Sequence, residues 1–145
     1  MSPRRSWSLS DRHPFEIYLL VWAFVSSLPA AIGLTPLPPT ILRSVDPWQG
    51  RTWVVSLTLG CLVALIGLGW RRRSTATGFR LSVTGLVLEQ VGLVTVAAAT
   101  VFYAGAASLR GGPGALPLAG IILGFGTACA AQAWKIQRVL KASTQ

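Results

Sequence analysis

Four apolar runs, 15–34, 47–70, 81–107 and 116–134, are each about long enough to cross a bilayer and together hold almost no charge. Glu89 is the one charged residue in the third run, and the fourth has none. Only 12% of the 145 residues are charged, against roughly a quarter in an average soluble domain. A chain this small folding in water must cover most of its surface with polar groups, and too few are present. The expected fold is therefore all-α: an integral membrane four-helix bundle, because in lipid a helix satisfies its backbone hydrogen bonds within one segment.

The segment boundaries carry local signals. Residues 1–14 form a polar, basic N-terminal segment with Arg4, Arg5 and Arg12. His13-Pro14-Phe15-Glu16 then opens a helix, with Pro at the first helical position and an acid in the first turn. Pro29 lies inside the first run and is expected to kink it. A Pro-rich connector over 35–45 carries a short amphipathic piece around Ile41, Leu42 and Arg43. Asp46-Pro47-Trp48-Gln49 starts the second span as an N-cap, a Pro and a Gln at the third position. Trp48, Trp53 and Trp70 stand near the ends of that span, as interfacial rings do. Arg71-Arg72-Arg73 is expected to stop the second helix, and Gly111-Gly112-Pro113-Gly114 to make a tight loop before the fourth. A basic tail, 135–145, follows, with Lys135, Arg138 and Lys141 at helical spacing.

Charge sets the expected orientation. The N-terminus has three Lys or Arg, the Arg71–Arg80 loop four and the tail three, ten in all, against Arg43, Arg51 and Arg110 on the other side. By the positive-inside rule the ten face the cytoplasm, giving an N-in, C-in chain in a bacterial cytoplasmic membrane. The competing reading is a cleaved or twin-arginine signal at Arg4-Arg5. It is disfavoured by Asp11 and Glu16 ahead of the run and by the lack of a small-x-small cleavage site. The formal charge of +9 does not mark a nucleic-acid surface, because the basic residues lie between and outside the apolar runs. The tail could instead lie on anionic lipid, or serve only as a positive-inside anchor.

Enzymatic chemistry is not expected. The sequence has no P-loop, no HExxH, no Ser/His/Asp set and no paired carboxylates. Cys61 and Cys129 are isolated within apolar runs, and His13 is the only histidine, so neither a metal nor a cofactor is expected. The intramembrane polar candidates are Glu89, Gln90 and Gln132. Glu89 stands nine residues after Arg80, roughly 13 Å along a helix and near mid-bilayer in this reading. It reads either as part of a proton or ion pathway or as a protonated contact holding helices together.

Small residues form the second pattern. Gly78, Gly85, Gly92, Ala99 and Ala106 repeat every seven positions on the third span, and Gly120, Gly124 and Ala128 form a GxxxGxxxA row on the fourth, continued by Gln132. Such rows allow close backbone approach, either between spans three and four or between copies of the chain as a homo-oligomer.

Four stretches carry a resemblance. His13-Pro14-Phe15-Glu16 with Tyr18-Leu19-Leu20, Leu88-Glu89-Gln90-Val91-Gly92-Leu93, Gly120-Ile121-Ile122-Leu123-Gly124-Phe125-Gly126 and Ala133-Trp134 resemble the small four-span membrane proteins of actinobacterial phages and prophages. The Arg-rich, Asn-free composition agrees with a GC-rich source. The resemblance implies a holin-like protein, since such proteins are found near lysis genes, and transfers no catalytic residue. The alternative is a non-pore anchor or accessory subunit of a membrane complex, with an unidentified membrane protein as partner, superinfection exclusion being one such role. Reporter fusions check the orientation: a cytoplasm-dependent fluorophore is expected to be active at both ends, and an export-dependent enzyme active only at 35–45 or 111–114.

Overall fold

The structure, a computed structural model, describes residues 14–37, 45–76, 83–110 and 113–143. They form four helices and no strand: α1 Pro14–Ala31, α2 Pro47–Ala76, α3 Val83–Arg110 and α4 Leu116–Ser143, the last preceded by a single 3-10 turn, Pro113–Ala115. Three stretches are long and apolar enough to cross a membrane: Pro47–Trp70, Val83–Arg110 and Leu116–Arg138, with mean hydropathies of 2.0, 1.7 and 1.5. The apolar part of α1, Phe15–Ala31, is shorter.

α1 ends before Leu34 because a specific cap closes it. Gly33 has φ +80, a left-handed conformation open to glycine without a Cβ penalty. Around it the Gly33 N–H donates to Ala30 O at 3.3 Å and the Leu34 N–H to Pro29 O at 2.9 Å, the paired bonds of a Schellman motif. Pro29 thus belongs to the closing turn, where its carbonyl also accepts from Thr35 at 3.3 Å. It is not a hinge in the middle of the helix.

α2 starts as its sequence predicts. Gln49 Oε1 accepts the Asp46 N–H at 3.3 Å, half of a capping box, and the Gly50 N–H reaches Asp46 O at 2.9 Å. Its end differs from expectation. The helix runs through Arg71-Arg72-Arg73 to Ala76. Arginine has high helix propensity, so charge ends the apolar window at Trp70 without ending the helix. α3 likewise extends to Arg110, three residues past the expected span, and α4 continues unbroken through the basic tail to Ser143. The amphipathic piece at 41–43, Arg80, and the glycines at 78, 111 and 112 lie outside the described residues.

Among the described residues each helix packs against its neighbours in sequence: α1 on α2, α2 on α3, α3 on α4. α1 and α4 do not meet, so the helices form an open row and the ring of a closed bundle is not completed. One core cluster joins Leu20, Cys61, Ala64, Leu93, Val96, Cys129 and Ile136 along this row; a second, around Val45, Val54, Tyr103, Ala107 and Ala119, fills the opposite end. The outer surface is apolar on every helix, with Trp22, Leu59, Val91, Val94 and Ile121 among the exposed side chains. Water would penalise that surface and lipid would not.

The tightest contact is between α2 and α3. A Cβ added at Gly67 would come 2.5 Å from the Glu89 backbone N and 2.7 Å from Gly85 O. One added at Gly92 would meet Gly60 O at 2.6 Å and Ala64 Cα at 2.8 Å. The two backbones touch, and only glycine fits. Gly92→Ala is expected to cost about 1–3 kcal/mol by overpacking, whereas Gly120→Ala, which meets open space, should stay within about 0.5 kcal/mol. Unfolding in detergent, followed by loss of helicity, measures both.

Candidate functional site

Glu89 is fully enclosed, 0% exposed. It sits on the face of α3 that meets α2, with its backbone against Gly67. The seven-residue repeat puts Gly85, Glu89's neighbour one turn before, and Gly92 on this same contact. The small-residue stripe of α3 therefore serves α2, not α4. Ala99 continues it: its carbonyl accepts the Trp53 indole N–H at 2.6 Å, and Trp53 stacks on Tyr103 with centroids 4.6 Å apart. Trp53, expected as an interfacial ring, is an inter-helix contact. Trp48 and Trp70 remain exposed near the ends of α2.

On α3, Glu89 lies 21 residues, roughly 31 Å, before Arg110. Its contact Gly67 is one turn from Arg71 on α2. The register of α4 agrees. Thr100 lies against Gly126, so with antiparallel helices Gln90, ten residues earlier, stands level with Ile136, ten later. Glu89 thus stands level with the part of α4 where its basic residues begin.

Gln90 is half-buried and lines a groove between α3 and α4 of about 600 Å³. Gln132 is half-buried on α4 but is not part of the groove lining. The α3–α4 contact does not use the GxxxG row. It is made through Ala119, Gly126, Cys129 and Ala133, all buried, with Gly126 against the Thr100 hydroxyl. Thr100 Oγ1 lies 2.9 Å from Val96 O and 2.8 Å from Ala97 O, which satisfies it within its own helix. Gly120, Gly124 and Ala128 are exposed, and no atom lies within 4 Å of a Cβ built at either glycine. Periodicity revealed that α4 had a small-residue row. It could not show which way that row faces.

Sequence reading missed a second polar contact. The Thr58 hydroxyl lies 2.8 Å from Ser27 Oγ, which itself donates to Phe24 O at 3.2 Å. This pair joins α1 to α2 in a buried setting, and lone Ser and Thr in apolar runs are too common to have flagged it. Among the described residues no three His, Cys, Asp or Glu side chains converge on a metal position.

An all-helical chain with three helices long and apolar enough to cross a membrane points to the class of multi-pass membrane proteins. No protein family, curated protein or solved structure matches it, so the functional reading rests on this geometry.

Replacing Glu89 separates its two roles. Glu89→Gln retains size and hydrogen bonding and is expected to leave stability within about 0.5 kcal/mol. Glu89→Ala removes the buried polar contact and opens a cavity, with an expected loss of about 1–3 kcal/mol. Equal destabilisation of both variants in a detergent unfolding assay would instead show that the ionised carboxylate holds α2 to α3.

Proposed function

We propose that this chain is a small holin-like protein of phage type that self-associates in the bacterial cytoplasmic membrane and permeabilises it. In this reading α1 is the fourth span and both termini are cytoplasmic. Its 17 apolar residues reach roughly 26 Å, near the lower limit for crossing. The Ser27–Thr58 contact holds it beside α2, and Phe15, Tyr18, Trp22 and Val25 form an outward apolar stripe.

The observation that carries the proposal is the outer face of α4. Only 22% of its spanning window is buried, against 50% for α3. Gly120, Gly124 and Ala128 lie along that uncovered side, where a second helix could approach as closely as α2 approaches α3. In lipid, association relies on close packing and not on apolar burial, so a smooth face favours a helix over acyl chains. Glu89 lies on the far side of α3 from this seam. Its role in the proposal is to hold the protomer together, not to line the opening.

One feature of the same face favours the accessory-subunit reading. Lys135 is in line with Gly124 and Ala128, being 11 and 7 residues further on, or about 20° to either side at 100° per residue. Two copies paired in parallel would set their Lys135 ammonium groups against each other, whereas a partner helix bearing an acid there would not.

The test is the membrane potential of bacteria after this gene alone is induced, read with a voltage-sensitive dye. Collapse after a lag is expected, with lysis when an endolysin is co-expressed. Gly124→Ile, which makes the seam bulky, should delay the collapse severalfold or abolish it at equal membrane levels. A steady potential at confirmed expression would overturn the holin reading in favour of the accessory one, and Lys135→Glu would then be expected to release the partner.

A further inference from the structure

We propose that the groove between α3 and α4 binds an anionic phospholipid, with its phosphate at Arg138 and one acyl chain along the groove. The groove lining does not include Gly120, Gly124 or Ala128, and the proposal does not rest on self-association. The groove lies on one side of the α3–α4 contact, while Gly120, Gly124 and Ala128 point away from α3 on another face of α4.

Three features of the groove fit this ligand. Its floor is apolar, built from Val94, Ala97, Ala98, Val101, Ala130 and Ala133. The small side chains on both helices leave the hollow, about 600 Å³ in volume. Its length suits one leaflet: from Gln90 to Phe102 is 12 residues on α3, roughly 18 Å, against roughly 15 Å for half of the hydrocarbon core.

The side-chain amides are confined to one end, and the Thr127 hydroxyl further along donates to Gly124 O at 2.9 Å. Gln90 and Gln137 line the groove at the amide end beside Trp134, offering amide donors where the apolar floor stops. The Arg138 guanidinium stands 5.8 Å from the ring centroid of Trp134, a lining residue, a cation–π contact that holds the cation beside this end of the groove. A fixed cation, amide donors and an indole over a leaflet-deep apolar trough match a lipid phosphate with its acyl chain. Basic pockets between spanning helices bind anionic headgroups in this manner.

The full chain, reconstituted in phosphatidylcholine vesicles, is titrated with brominated phosphatidylglycerol or, separately, brominated phosphatidylcholine. Quenching of Trp134 is read as the difference between the wild type and Trp134→Phe. Phosphatidylglycerol is expected to quench with about five-fold higher apparent affinity, the factor that one positioned cation supplies. Arg138→Gln should bring the two lipids close to parity. Ala98→Phe, an exposed position whose enlargement fills the groove without altering charge, should remove the advantage as well. Equal quenching by both lipids in the wild type would overturn the proposal. So would an advantage that survives Ala98→Phe, since that preference would belong to the general positive charge of the tail. The readout does not involve membrane potential, so it stands or falls separately from permeabilisation.

Discussion

The backbone contact between α2 and α3 is the constraint on which the other helices depend. Gly67 and Gly92 let the two main chains touch, and each is shut in by the backbone of the opposite helix. Without a hydrophobic drive between helices in lipid, this proximity supplies the attraction, because dispersion forces fall steeply with even a small gap. α1 then adds to the outer side of α2, and α4 to the far side of α3. Among the described residues α1 packs on α2 alone and α4 on α3 alone, which leaves most of the α4 span uncovered.

The same contact explains the burial of Glu89. A carboxyl group there is costly unless its surroundings satisfy it, and the close backbones of α2 and α3 exclude bulk lipid and water alike. Glu89 stands level with the basic part of α4. The outer faces divide by chemistry. One side of α4 is smooth and small enough to accept another helix, while the trough beside it is apolar in depth and cationic at one end.

Much of the fold was legible in the residues. The helix start at Pro47 followed from proline placement and from Asp46 and Gln49, because capping chemistry is local. Helix ends were harder. The Arg71-Arg72-Arg73 run marks where apolarity stops, yet arginine sustains a helix, so composition and backbone diverge there. Trp53 looked like an interfacial ring because only the distant Ala99 carbonyl gives its indole a buried role. The seven-residue repeat on α3 correctly marked a face of close approach but could not name its partner.

By itself, the sequence determined that this chain is helical and largely apolar, where most helices begin, and that α3 and α4 each carry a row of small residues, since these follow from composition and periodicity along one segment. Only the tertiary structure decided that the α3 row faces α2, that the α4 row faces outward, that Glu89 is sealed near the basic end, and that a trough opens beside Trp134 and Arg138. The reason is physical: periodicity defines a face on one helix, but which face meets which helix depends on how closely two backbones can approach, and that property belongs to the pair.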